Sequence, residues 1–314
     1  MKKKLIVAGV LFALFFAALI GRESCRGTLG TDASRAWRGE SGTEYRRISV
    51  YFDAAHAITV PEAVYAKSGM SERIREGSEE AKLLATWGRE EEGEFRIGER
   101  ELSCPVYLVE ENFFLMRRFL FLAGGDYGFG AGEIVLNEYA AHALFGSEDC
   151  VGMILRRGAE YESVRGVVRD GLKRPAAYAY LADREQVTFY ETILPEYVKG
   201  YAYDVVSMYF YEGDGTVIRE NDVRYETKRL REELKKEFDE TEQPLSFRVP
   251  FWEYRERRAE RVLTAWNIAV MILAVPAAVS LVPVLWEPGA KLFRWIGAKK
   301  EERQSRPKYM RCPG

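Results

Sequence analysis

The chain has 314 residues, with 46 lysines and arginines against 48 aspartates and glutamates, a net charge of −2. That length holds one large domain or two small ones. A near-neutral chain without a concentrated basic face excludes nucleic acid as its natural partner. Apolar residues crowd toward the two ends, and the middle reads as a water-soluble domain.

Lys2, Lys3 and Lys4 precede an apolar run from Leu5 to Ile20. A charged start and an apolar run make either a signal peptide or an uncleaved anchor. The run exceeds a usual signal-peptide core. Gly21-Arg22-Glu23-Ser24-Cys25 supplies neither a small-x-small cleavage site nor a lipoprotein signal. An uncleaved anchor over residues 1–22 is therefore expected. Arg22 to Thr43, rich in Gly, Ser, Thr and Arg, reads as a linker.

Arg47 to Phe52 reads as a strand. Thr59-Val60-Pro61-Glu62 has the form of a capping box with an early proline. Ala66, Met70 and Ile74 follow at helical spacing, and Gly77 stops the helix. Residues 88–101 are highly charged around Gly93 and Gly98 and suggest an exposed hairpin or turn; Leu102 to Val109 returns to strand character. Ile134-Val135-Leu136 is a buried strand by composition. Asn137 caps a short helix carrying Tyr139, Ala143, Leu144 and Phe145, which Gly146 ends. Val151 to Leu155 and Tyr161 to Val168 read as strands turning near Gly158, Ala177 to Leu181 as another, and Val205 to Tyr211 as a strong one. Leu230, Leu234 and Phe238 form one stripe of an amphipathic helix. The mixture points to an α+β domain over residues 23–262.

The charge run from Tyr254 to Arg261 has no glycine or proline and reads as a helical stalk. It leads into Leu263 to Trp286, which is uncharged and long enough to cross a bilayer. Pro276 and Pro283 are tolerable in such a helix. Residues 287–314 form a basic tail. Lysine and arginine concentrate at Lys2–Lys4 and beyond Lys291, so both termini are expected in the cytoplasm and the middle outside.

Little in the chain suggests chemistry. Cys25, Cys104, Cys150 and Cys312 form no knuckle or CxxC pair. Cys104 and Cys150 are expected as two separate buried thiols, with a disulfide as the alternative. The histidines are His56 and His142, far apart, and His142 reads as a packing residue on an apolar face. No HExxH, GxSxG or P-loop pattern occurs. Gly124, Gly125, Gly128, Gly130 and Gly132 precede a strand, whereas a phosphate-binding loop follows one. No catalytic residue, metal or cofactor is expected, and any nucleotide hydrolysis belongs to another chain.

One stretch carries a resemblance. Ile134-Val135-Leu136-Asn137-Glu138, then Ala143-Leu144-Phe145-Gly146-Ser147-Glu148-Asp149, Val151-Gly152-Met153 and Tyr161-Glu162-Ser163-Val164-Arg165-Gly166-Val167-Val168 resemble the periplasmic core domain of MacB-type ABC transporter permeases. Asn112-Phe113-Phe114 and Leu122-Ala123-Gly124-Gly125 resemble its approach, and the permease-like set of Gram-positive bacteria is nearest in flavour. The resemblance implies a domain in two lobes, one built from both ends of the outer segment and one from its middle. It implies no catalytic residues, a separate ATPase, and a further permease subunit, since the family has four spans and two are found here. A membrane-tethered sensor, or a module binding an envelope protein, is the alternative.

In the tail, Leu292, Phe293, Trp295 and Ile296 interleave with Lys291 and Arg294. Such a basic amphipathic helix suits the inner leaflet. The resemblance implies instead a cytoplasmic helix that contacts the ATPase. For the topology, cysteines introduced near Gly93 should react with an impermeant thiol reagent on intact cells, and those near Lys299 should not. The reverse pattern would overturn the assigned orientation.

Overall fold

The computed structural model describes residues 2–26, 31–39, 42–77, 81–126, 128–197, 199–213, 215–221 and 250–305. The chain divides into two compact units, residues 1–28 with 257–314, and residues 29–256.

The first unit is helical. Helix α1 (Lys2–Arg26) and the later part of α7 (Phe251–Ser305) make it up. Ile6–Cys25 and Phe251–Ser280 are long and apolar enough to cross a membrane. Gly21 stands against Trp266, where an added Cβ would lie 2.6 Å from the indole ring. Small residues at such a crossing let two backbones approach. Pro276 lies within helix α7, whose length extends past both ends of the expected apolar run.

The second unit is built on one mixed sheet. Its strands are β1 (Tyr45–Phe52), β3 (Leu84–Ile97), β4 (Arg100–Val109), β5 (Leu120–Gly124), β6 (Glu133–Asn137), β7 (Ile154–Arg157), β8 (Glu160–Arg169), β9 (Ala177–Tyr180), β11 (Phe189–Pro195) and β12 (Thr216–Asn221). The spatial order is β12-β1-β11-β3-β4-β9-β6-β8-β5, with β7 beside β3 and β8. Pairing is antiparallel except between β4 and β9 and between β6 and β8. A two-residue pair, β2 (Ile58–Thr59) and β10 (Gln186–Val187), stands apart. Strands from the ends of the segment (β1, β11, β12) gather on one side, and strands from its middle (β5, β6, β8, β9) on the other. All of them belong to a single sheet in one compact unit, rather than to two separate lobes.

Both faces of the sheet are covered. Ile48, Val50, Trp87, Val106, Leu136, Val164 and Tyr190 point into one core, beneath α3 (Val60–Gly77), α5 (Glu138–Phe145) and α6 (Ala202–Ser207). Strand alternation sends Tyr51, Tyr107, Val135, Tyr178 and Phe189 into a second, more aromatic core with Phe113 and Phe114 of α4 (Phe113–Arg117) and Trp252 of α7. Helix α3 starts with the expected capping box: the Glu62 carboxylate accepts from the Thr59 backbone N–H at 2.7 Å and from its hydroxyl at 2.9 Å. The Asn137 side chain accepts from the Ala140 N–H at 2.9 Å, and Gly146 ends α5 at positive φ.

Several expectations need correction. Val205 to Tyr211 is no strand: residues 202–207 form α6, because Ala202, Val205 and Val206 bury one helical stripe against the first core. The linker is partly helical. Helix α1 continues to Arg26, and α2 (Thr31–Arg38) buries Ala33 in a small cluster with Leu84, Met116 and Ile193, with Trp37 packed against it. Gly93 is in mid-strand opposite Cys104, where a Cβ would run into the Val106 side chain; the hairpin turns at Gly98. The strand expected from Val151 begins only at Ile154. His142 is exposed, 3.6 Å from Glu148, and Phe145 is half-buried. As expected, Cys104 and Cys150 are separate buried free thiols, and burial pushes their pKa values up to about 12 and about 11. The stripe Leu230, Leu234 and Phe238 lies outside the described residues.

Leu136 is fully buried in the first core, so Leu136→Ala should cost about 2–5 kcal/mol. Phe145→Ala should cost clearly less, because its ring is already partly in water. Thermal unfolding of the purified full chain checks both, and equal losses would contradict the burial.

Candidate functional site

On β1 the side chains alternate. Ile48, Val50 and Phe52 enter the first core, and Arg47, Ser49 and Tyr51 take the other face. A polar set at period two normally marks a solvated face. Here Arg47 is 1% exposed, and Ser49 and Tyr51 are fully buried. Strands β11 and β12 flank β1 and set Glu191 and Arg219 on either side of Ser49 in register. Glu191 is also fully buried.

The cover is the first two turns of α7. Trp252, Glu253 and Glu256 share one helix face, since residues three and four apart are neighbours on a helix. The Glu256 carboxylate accepts from Arg47 and, at 2.9 Å, from Arg117 of α4. Arg117 reaches on to Glu191 with its other terminal nitrogen. Glu253 accepts from the Tyr51 hydroxyl at 2.9 Å and pairs with Arg219 at 2.7 Å. The Trp252 indole N–H donates to Glu191 at 3.2 Å, and the Arg117 guanidinium lies 4.9 Å over the Trp252 ring. The ring also packs against Tyr107, Phe113 and Phe189.

Three cations, Arg47, Arg117 and Arg219, therefore meet three anions, Glu191, Glu253 and Glu256, and the cluster is neutral. Burial alone disfavours the Arg47 charge, but Glu256 and Glu191 outweigh it and move its pKa upward. Burial, followed by the fields of Glu253 and Glu191, drives the Tyr51 phenol well up, so it serves as a donor.

A second fastening lies close by in sequence. Arg255 donates to the Asp170 carbonyl at 2.8 Å and packs on Gly171, which has positive φ and no room for a Cβ. The Asp170 carboxylate accepts from Tyr178 at 2.8 Å and from Asn137, the residue that caps α5. Desolvation raises its pKa against those hydrogen bonds. Strands β6, β8 and β9 are thereby tied to the start of α7.

The expected site residues fall elsewhere. Leu292, Phe293, Trp295 and Ile296 lie within α7, and their side chains are outside the described residues. The buried cluster was not anticipated. Glu256 falls in the charge run read as a stalk, Glu253 just before it, and Arg47 in an ordinary strand. A signal was present: Glu191 is the one charged residue of its strand, and Arg117 follows Phe113-Phe114-Leu115-Met116. Charges in such surroundings are buried only with partners. Among the described residues, no group of three or more His, Cys, Asp or Glu is placed to hold a metal.

No protein-family model and no curated protein matches the chain. Among solved structures, the chain is similar to the extracellular domain of the noncanonical ABC-type transporter YknZ from Gram-positive bacteria, at 12% identity over 55% of this chain and 99% of that one, with a TM-score of 0.41. It is also similar to the periplasmic region of MacB from Actinobacillus actinomycetemcomitans, at 12% identity over 63% of this chain and 94% of that one, with a TM-score of 0.43. The mixed α/β domain is thus similar to MacB- and YknZ-type extracytoplasmic domains, and two apolar helices flank it in sequence.

Glu256→Ala would strand Arg47 and weaken the hold on Arg117, and should cost about 3–5 kcal/mol. Replacing Arg47 and Glu256 together by Met leaves two cations and two anions and should cost far less. Chemical denaturation of the two variants measures the difference; equal losses would show that charge balance is not the governing term.

Proposed function

We propose that the chain is a non-catalytic membrane subunit of the ABC-permease kind, whose outer domain binds a partner or receives motion generated by a separate ATPase. The observation that carries this is the seating of Trp252, Glu253 and Glu256 in the domain core, on the same helix that continues as an apolar run. A simple tether has no need of buried charge at its root. Both termini are assigned to the cytoplasm from the distribution of lysine and arginine. Residues 23–262 are taken as the outer segment, 263–286 as the second span and 287–314 as the tail. Leu292, Phe293, Trp295 and Ile296 would then meet the ATPase or the inner leaflet, beside a further permease subunit.

The second reading, a membrane-tethered sensor or envelope-protein binding module, is favoured by exposed tyrosines. Tyr65, Tyr197, Tyr201 and Tyr211 are 73%, 66%, 60% and 86% exposed. Tyrosine supplies rigid amphipathic contact area at protein interfaces.

Affinity purification of the full chain from its native membrane separates the two. An ABC-type ATPase should co-purify, and Phe293→Ala with Trp295→Ala, every Lys and Arg kept, should abolish its recovery. If the unmodified protein brings down no ATPase, the transport role fails and the sensor role takes its place.

A further inference from the structure

We propose that Arg258 and Arg261 of α7 bind the phosphate of an anionic phospholipid, whose acyl chains lie along the exposed apolar stripe that continues from them on the same helix face. The site rests on the reading of residues 263–286 as a membrane span, and not on which side of the membrane the domain lies.

Residue order hides this site, because the run from Glu253 to Arg261 mixes both signs and looks balanced. The structure divides it. Glu256 turns to Arg47 and Arg117, and Glu253 to Arg219, so both carboxylates are buried in the domain. Arg255 donates to the Asp170 carbonyl. Between residue 257 and the apolar run stand Arg257, Arg258 and Arg261 against Glu260, a sum of +2. With the domain outside, such a concentration of arginine runs against the usual distribution across a membrane, so these residues do not serve as a topology signal.

Their depth matches a lipid headgroup. At a rise of 1.5 Å per residue, Arg261 stands about 3 Å and Arg258 about 7–8 Å along the helix from Leu263, where the apolar run begins. The headgroup layer on each side of the hydrocarbon core is about 5–8 Å thick. Both side chains are exposed and, three residues apart, share one face of the helix. A guanidinium offers paired N–H donors that fit two phosphate oxygens. The net positive charge favours lipids that carry no compensating ammonium.

The rest of the face suits acyl chains. Val262 and Ala265, about a turn further on, are exposed, and the same stripe runs through Ile272, Val275 and Val279, which are also exposed. Steps of three, four and seven keep these residues on one side of a helix. Leu263 and Ala277, on the other side, are buried, and Trp266 between them meets Gly21 of α1. Among the described residues, α7 thus turns one face toward α1 and leaves the other open. That open face carries charge first and hydrocarbon after it, the order of a phospholipid.

Photocrosslinking tests the site on the full chain in lipid nanodiscs. Phosphatidylglycerol and phosphatidylcholine probes with the same acyl chains, each with a diazirine near the glycerol, are compared at equal mole fraction, and labelled peptides are mapped by mass spectrometry. Labelling between Arg258 and Ala265 should be at least about fivefold higher with phosphatidylglycerol. The excess should fall as salt rises from about 0.05 to about 0.5 M. Arg258→Gln with Arg261→Gln should abolish the excess there and leave labelling between Lys291 and Lys300 unchanged. Equal labelling of the unmodified chain by the two probes would overturn the site, and so would an excess that survives the substitutions. If the chain does not enter the bilayer at all, the span fails and the site with it. If it enters without the excess, only the site fails.

Discussion

A guanidinium withdrawn from water needs an anion at hand, and for Arg47 the anion that accepts its hydrogen bond is Glu256, 209 positions along the chain. Bringing them together requires β1 to lie inside the sheet, flanked by β11 and β12, and α4 to deliver Arg117 from the side. It also requires the chain to return after β12 and lay α7 across the open face. Each charge is costly alone and tolerable in the set. The cluster therefore favours one arrangement of distant segments over near alternatives that would strand a charge.

The two faces of the sheet solve the burial problem differently. The first is apolar throughout and is closed by helices whose own stripes match it, such as Ala63, Ala66, Met70 and Ile74 of α3. The second combines an aromatic floor of Tyr107, Tyr178 and Phe189 with the polar residues of β1, and its cover comes partly from α7. Trp252 belongs to both environments: its ring completes the aromatic floor, and its N–H satisfies Glu191. A domain truncated before residue 250 would lack that cover and leave Arg47, Tyr51 and Glu191 to solvent.

Regular signals were readable from residue order wherever structure is local. The Thr59–Glu62 box, the Asn137 cap and the Gly146 stop follow from bonds made within a few positions, and the Ile134–Leu136 strand from an unbroken apolar run. So do the apolar runs near the two ends, which need only length and composition. The resemblance to MacB-type periplasmic cores rested on residues 134–168 and on the approach at 112–114 and 122–125, where strand, cap, helix and turn signals succeed one another along the chain.

Long-range packing settled the rest. Val205 and Val206 favour strand by propensity, yet the first core accepts them with Ala202 as a helical stripe, and tertiary contact overrides a weak local preference. Arg47, Ser49 and Tyr51 look like the wet side of a strand, because alternation reveals which residues share a face and never what will cover it. Glu256 looks like a stalk charge, and Glu253 like its neighbour, for the same reason. Their partners, from Arg219 to Arg47, lie about 30 to 210 positions away, and no pattern within a window of the chain contains that information. Residue order therefore established the helices' caps, the apolar runs and the faces of the strands. Which polar face would be dry could emerge only when distant charges were brought within hydrogen-bonding distance.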